Sequence, residues 1–326
     1  MYALSKVWYR THCVDLRQCD INNINKYVRQ YLFADQLEKP MEIVRYRKKN
    51  LGGLNLFHVK SKATATLIKS LIETGKNTKY IQSAYHRALI SWNVEEDRSI
   101  PNPGNNPYYT EETYNVIKRA MAEGKDLVSM TGKDWYHFIL ASVIGHEEEL
   151  TPCRVEILHP LHDWTNTWAL ARLSGLSSLS MTFLFQLLHQ ILPCRERLAR
   201  ILPRVENNNC RVCDTGGNDS LVHSLVECAG SRECFNWMMA GLNKFCDNLT
   251  PGKLLLLDVK LAAPLPHNEL PLIWFSSEVM RRMFAYRKEE KKCRLYEIRA
   301  ELEAEINLVR HSKYADMAAI LDMLME

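Results

Sequence analysis

The stretch Cys210–Cys228, CRVCDTGGNDSLVHSLVEC, constrains the chain more than any other. It sets Cys210, Cys213, His223 and Cys228 in the order C-x2-C-x9-H-x4-C. Two thiolates two residues apart form one knuckle of a tetrahedral site. The run Gly216-Gly217-Asn218-Asp219 reads as a tight turn that returns the chain to deliver an imidazole and a third thiolate. A Cys3His set closes the coordination of one Zn2+ and leaves no position open for substrate, so the spacing points to a structural metal. The alternative is four buried residues packed together without an ion. Cys234 and Cys246 are spare thiols that could stand in for Cys228. The spacing is longer than that of the short retroviral knuckle.

Composition bounds what surrounds this loop. With 326 residues, 46% apolar and 25% charged, the chain can bury a sizeable core in two or three domains. It carries ten cysteines, and the seven outside the motif are scattered without pairing. The opening Met1-Tyr2-Ala3-Leu4-Ser5-Lys6 lacks the apolar centre of a signal peptide, so reduced thiols in an intracellular setting, cytoplasm and nucleus, are expected. No apolar run is long enough to span a membrane; Leu254-Leu255-Leu256-Leu257 is far too short. A formal net charge of +4 permits a nucleic-acid partner without demanding one, and its distribution matters more.

The periodicity predicts a mainly α protein: helical domains, a small zinc-stapled hairpin and little β structure. Ile21, Ile24, Tyr27, Val28, Tyr31 and Leu32 share one helical face within residues 1–37. Glu42-Ile43-Val44 reads as extended and leads into the basic run Arg45-Tyr46-Arg47-Lys48-Lys49. The pair Gly52-Gly53 follows. Its backbone freedom could leave room for a phosphate strand, or make a plain turn before a helix. Helix is expected over 59–95. Residues 97–110, DRSIPNPGNNPYYT within SWNVEEDRSIPNPGNNPYYT's proline- and asparagine-rich end, form the clearest linker. A helix from Thr113 to Glu123 and one holding Trp135 to Val143 come next, and Trp164 and Trp168 then sit one turn apart as core residues.

Around Pro193 an apolar helix pair breaks, and Arg195, Arg197, Arg200 and Arg204 form a basic face that leads into the zinc loop. Trp237 and Met238 are expected to pack the metal loop onto its neighbours. Pro251, Pro264, Pro266 and Pro271 mark an irregular connection. From Glu278 one long helix is expected to run towards the end, with Leu295, Ile298, Leu302, Ile306 and Val309 as its core stripe. Between Arg281 and Arg294 it carries seven positive residues, among them Arg287, Lys288, Lys291 and Lys292, against Glu289 and Glu290. The expected domains are 1–96, a linker 97–110, a helical connector 111–205, a zinc-binding domain 206–250, and a connection with the long helix over 251–326.

Three of these stretches resemble the C-terminal region of the reverse transcriptase of non-LTR (LINE-like) retrotransposons. Tyr31 to Leu56, ending in Gly52-Gly53-Leu54-Asn55-Leu56, is similar to the thumb-like segment after the polymerase palm. Leu188-His189-Gln190-Ile191-Leu192-Pro193 with Arg195 and Arg197 resembles the helix ahead of the zinc motif. Cys210, Cys213, Leu221, His223, Cys228 and Trp237 are similar to the zinc-binding domain itself. The resemblance implies a module that grips template RNA or target DNA, joined to the rest of the polymerase upstream. In that reading phosphates are met by Arg45, Arg47, Lys48, Lys49, Gly52, Gly53, Arg195, Arg197, Arg200, Arg204, Arg287, Lys288, Lys291 and Lys292. The chain departs from the family in lacking the palm carboxylates that hold two metal ions. Phe33-Ala34-Asp35-Gln36 has no second aspartate, and Asp258-Val259-Lys260 has no upstream Pro-Asp partner, so the chain by itself is expected not to be an enzyme. Two further readings are a zinc-stapled protein-interaction scaffold left from such an element and, more remotely, a zinc enzyme using His189 or Glu227.

Overall fold

The computed structural model describes residues 16–33, 42–77, 111–144, 154–202, 207–213 and 216–326. Among these residues the chain is helical and forms no β-strand; two isolated antiparallel bridges, Asn209 with Asn218 and Cys246 with Leu261, are its only β pairing. The expectation of a mainly α fold with a small hairpin therefore holds. The linker 97–110, the residues beyond Asn77 of the expected 59–95 helix, Asp35 and Arg204 lie outside the described residues.

The chain divides into two compact units. One comprises Met1–Gln36, Arg45–Arg47 and Leu54–Thr151; the other comprises Leu37–Val44, Lys48–Gly53 and Pro152–Glu326. This division cuts across the expected domains: 111–144 shares a core with 59–77, and Leu225 of the zinc region joins the core that runs from Val155 to Met325, while Cys210, Val212, Cys213 and Cys228 form a small cluster of their own.

In the first unit, α1 (Gln18–Phe33), α3 (Val59–Asn77), α4 (Glu111–Ala122) and α5 (Gly132–Ile144) are the helices, and α2 (Glu42–Tyr46) is one short turn in the stretch that contributes to both units. The segment Glu42-Ile43-Val44 is therefore helical rather than extended. The core forms where Ala65, Ile68 and Ile72 of α3 meet Val116, Ile117 and Ala120 of α4 and Trp135, Tyr136, Ile139 and Leu140 of α5. Each set repeats at three and four residues, which turns one stripe of each helix inward. Thr131 caps α5 reciprocally: its amide and hydroxyl both donate to Asp134 Oδ2, and its hydroxyl oxygen accepts from the Asp134 amide.

The second unit contains α6 (Arg154–Leu158), α7 (Trp164–Leu170), α8 (Ser178–Leu188), α9 (Arg195–Ile201), α10 (Arg232–Leu242), α11 (Pro251–Leu255), α12 (Leu270–Lys288), α13 (Leu295–Arg310) and α14 (Ala315–Met325). The single long terminal helix expected from Glu278 is thus three helices. The first begins earlier, at Leu270, with Pro271 in its first turn, where the missing N–H costs nothing. It stops at Lys288, and the left-handed Glu290 (φ 56°) turns the chain as the Lys291 amide donates back to the Tyr286 carbonyl.

Helix α12 is the axis of this unit. Fourteen of its nineteen residues are buried, among them Leu272, Ile273, Phe275, Val279 and Met280, so it is covered on every side rather than along one stripe. Helices α8, α10, α13 and α14 pack on it. The stripe of α13 is observed as read: Ile298, Leu302 and Ile306 are buried, with Leu295 and Val309 partly so. The burial includes charge. Glu278 accepts from Arg281 Nη2 at 2.6 Å and from Arg282 and the Ser180 hydroxyl, while Arg282 also reaches Glu301 (2.9 Å) and Glu305 of α13. Two of the seven positives between Arg281 and Arg294, Arg281 and Arg282, are therefore spent on the buried Glu278 and, for Arg282, on two acids of α13 as well.

Candidate metal centre and its cationic surround

The hairpin is short. The Cys210 amide donates to the Gly217 carbonyl at 2.8 Å and the Asp219 amide to the Asn208 carbonyl at 2.7 Å, closing the turn around Gly216 (φ 63°). The left-handed backbone at Gly216 is one that side chains resist. The H-x4-C half follows in a different way. His223–Glu227 winds as one π-turn, and the Cys228 amide donates to the His223 carbonyl at 2.7 Å. That single wide turn swings Cys228 back beneath His223, where an α-turn would carry it past.

The result is a buried cluster of Cys210, Cys213, His223 and Cys228 whose ligand atoms all lie within 4.8 Å of one another. Cys210 Sγ and Cys228 Sγ are 3.8 Å apart, and Cys213 Sγ is 3.4 Å from His223 Nε2. A tetrahedral ion with Zn–S of about 2.3 Å and Zn–N of about 2.0 Å requires S···S near 3.8 Å and S···N near 3.5 Å. The four residues therefore fit one zinc ion. Cys234 and Cys246 stand outside the cluster: both lie in the main apolar core, and burial pushes the Cys246 thiol up to about 11.

Hydrogen bonds favour the thiolate at Cys210. Cys210 Sγ accepts from the Val212 amide (3.3 Å) and the Cys213 amide (3.4 Å). Burial opposes ionisation of Cys210, but these amides with Arg287 and His223 bring its pKa below that of an ordinary thiol. At Cys228 burial prevails and the pKa is raised, although the Gly230 amide and Arg287 work against it. Gly230 is required by space: a Cβ there would meet Val212 Cγ1 at 2.5 Å.

Arg287 is the principal correction to the sequence reading. It does not face solvent. Its side chain is 8% exposed, and it donates to Cys210 Sγ at 3.0 Å, to Cys228 Sγ at 3.3 Å and to Asp219 Oδ1. Three thiolates around Zn2+ leave a net negative charge, and a guanidinium against two of the sulfurs offsets it. Asp219, read only as a turn residue, is a hub. Its carboxylate also accepts from the Arg195 amide (3.0 Å) and the Ser224 hydroxyl (2.7 Å), and its carbonyl from the Glu196 amide (3.2 Å). The run G-G-N-D hides this role because aspartate is common in turns for local reasons.

The remaining predicted contacts fall into several groups. Gly52 and Gly53 are buried and leave no room for a phosphate strand. A Cβ on Gly52 (φ 77°) would meet Trp168 Cε2 at 2.5 Å, the Gly52 carbonyl accepts from His189 Nε2 at 2.9 Å, and the Gly53 carbonyl accepts from Arg172. His189 is stacked on Trp168 with ring centroids 5.0 Å apart, which gives it a structural place rather than one beside the metal cluster. Arg197 donates to the Gln190 carbonyl and Arg200 pairs with Glu196 along α9. Arg45 and Arg47 are half-buried, whereas Lys48 and Lys49 are exposed. Trp237 Nε1 donates to the Met325 carbonyl at 3.3 Å and its ring meets Phe275, while Met238 shares the main core with Leu225 of the metal loop.

What the structure does bring together beside the cluster is Arg195, Arg287 and Lys288, joined by Arg211, which the sequence reading passed over. Lys288, Lys291 and Lys292 are exposed at the end of α12 and in the turn after it. That turn is tied to the metal loop, since the Cys293 amide donates to the Gly230 carbonyl at 2.8 Å. No protein-family model, curated protein or solved structure matches this chain.

Proposed function

We propose that this chain is a zinc-stabilised nucleic-acid-binding module, the C-terminal portion of a reverse transcriptase of the non-LTR type. It works inside the cell beside a polymerase palm supplied upstream and performs no chemistry of its own. One structural Zn2+, held by Cys210, Cys213, His223 and Cys228, fixes the hairpin against α12. The observation that carries the reading is the exposed set Lys288, Lys291 and Lys292 at the end of α12 and in the turn after it, which is hydrogen-bonded through Cys293 to Gly230, two residues past the last ligand of the Cys3His cluster. Such cations position a strand through its phosphates without reading its sequence.

The test is binding of single-stranded RNA and duplex DNA across a salt series. Affinity should fall with a log–log slope of about −0.7 per phosphate neutralised on a single strand. Replacing Lys288, Lys291 and Lys292 together by Glu should abolish binding with zinc content unchanged; a flat salt response sinks the proposal. Arg287 is left intact in this test because of its place against the sulfurs.

A second reading is favoured by a specific observation. Arg281, Arg282 and Arg287, three of the seven positives between Arg281 and Arg294, are consumed by internal acids and sulfurs. This suits a zinc-stapled scaffold whose charges serve folding. A charge-reversed triple variant that folds, with no nucleic acid bound by the parent protein, selects this reading.

A further inference from the structure

We infer that the cavity beside the Cys3His cluster is a phosphate-binding site. It has a volume of about 210 Å3 and is lined by four cations, Arg195, Arg211, Arg287 and Lys288, against two carboxylates, Asp219 and Glu290. Asp219 is already matched by Arg287. Glu290 alone is left to serve Arg211 at 2.8 Å and Arg195 at 3.7 Å, and Lys288 makes no ion pair among the described residues. Four cations against two carboxylates leave two positive charges, and the net negative charge of the zinc-loaded cluster beside Arg287 offsets one of them.

A second observation points the same way. Arg195 is only 17% exposed, and its buried Nε has no hydrogen-bond partner. A buried guanidinium N–H without an acceptor is costly, and an oxyanion supplies one. Arg195 and Arg211 present planar guanidinium donors, which suit the several oxygens of a phosphate better than the two of a carboxylate. Phe284 and Leu198 complete the wall with apolar surface. Glu290 is 47% exposed and stands where a phosphate would bridge Arg195 and Arg211, so its carboxylate is the competitor that an incoming phosphate displaces.

The site deepens the nucleic-acid reading and rests on it for the source of the phosphate, a backbone diester rather than a free ion. The experiment titrates the full chain with inorganic phosphate, a mononucleotide and a short single-stranded oligonucleotide by calorimetry at fixed ionic strength. Arg211→Gln with Lys288→Gln should weaken phosphate and oligonucleotide alike by about tenfold or more, as loss of charge-assisted hydrogen bonds requires. Glu290→Gln should tighten both, because it removes the carboxylate that competes for Arg195 and Arg211. Zinc content and circular dichroism of each variant report folding; all three side chains reach solvent, so their replacement leaves the core alone.

Phosphate and mononucleotide binding that responds to these variants, with no oligonucleotide binding, keeps the site and overturns the nucleic-acid reading. Oligonucleotide binding indifferent to all three substitutions overturns the site and keeps that reading. Absence of binding by every probe overturns both.

Discussion

Arg287 Nη2 lies 3.0 Å from Cys210 Sγ. A residue near the end of a core helix thus touches the first thiol of a motif 77 positions earlier. The contact explains why the centre sits against α12 rather than hanging from the surface. Thiolates bound to zinc keep nucleophilic character, and a hydrogen-bonded guanidinium withdraws charge from them. Arg287→Met should bind zinc about 10–100-fold more weakly than the parent, the range seen for outer-shell partners, and Arg287→Lys should recover only part of the loss. Chelator competition with a zinc-sensitive dye reads both affinities.

Zinc itself should be present at one ion per chain, read by elemental analysis. Cys213→Ser should lose it and lower the melting temperature, because metal binding of about 10–16 kcal/mol in small zinc modules is largely folding energy. Cys246→Ser should keep the metal. Equal zinc loss in both variants would contradict the ligand assignment.

Asp219 and Arg287 form a buried pair with side chains 6% and 8% exposed. Removing the carboxylate's charge leaves Arg287 only the sulfurs of Cys210 and Cys228 as charged partners. Asp219→Asn should destabilise the second unit by about 3–5 kcal/mol, measured by urea unfolding, although no ligand has been altered.

Glycine positions give a graded test of packing. Gly52→Ala places a Cβ 2.5 Å from Trp168 Cε2 at φ 77°, so both clash and backbone strain apply, and a cost of about 2–4 kcal/mol is expected. Gly216→Ala shares the positive φ (63°) but meets nothing within 4 Å, and about 1 kcal/mol is expected. Chemical denaturation of the two variants should preserve that order.

Acid should weaken the second unit through Glu278. Burial raises its pKa, but the Ser180 hydroxyl and the Arg281 and Arg282 guanidiniums outweigh it, and the folded-state value lies below the ordinary one. A carboxylate depressed in this way adds stability above its unfolded pKa of about 4.3, and that contribution is lost as pH falls through the folded value. Glu278→Gln should therefore be less stable near neutrality and should show a flatter acid limb in urea midpoints measured against pH.

Much of the fold could be read from periodicity, because α13 and α5 each keep one apolar stripe. Helix α12 could not. It is buried on every side and its buried residues include Glu278 and Arg282, so no apolar face stands out, and Pro271 looked like a breaker when it is an opening residue. The four cysteine and histidine positions were legible because spacing and turn residues are local signals. The surround was not. A positive residue in a sequence carries no mark of whether its counter-charge lies in solvent or on another helix, and Arg287 was assigned outward on charge density alone. Asp219 was hidden for the converse reason, since its partners are distant and its own neighbours explain it as a turn.

The ties that converge on Asp219 also bear on how this half of the molecule comes apart. One carboxylate joins the start of α9, the turn of the hairpin and the last turn of α12, so the small metal loop has no melting transition separate from the helices around it. Chelation should be sensed far from the thiols, as faster amide exchange along α12 and α8, and heating should give one cooperative step for the whole unit.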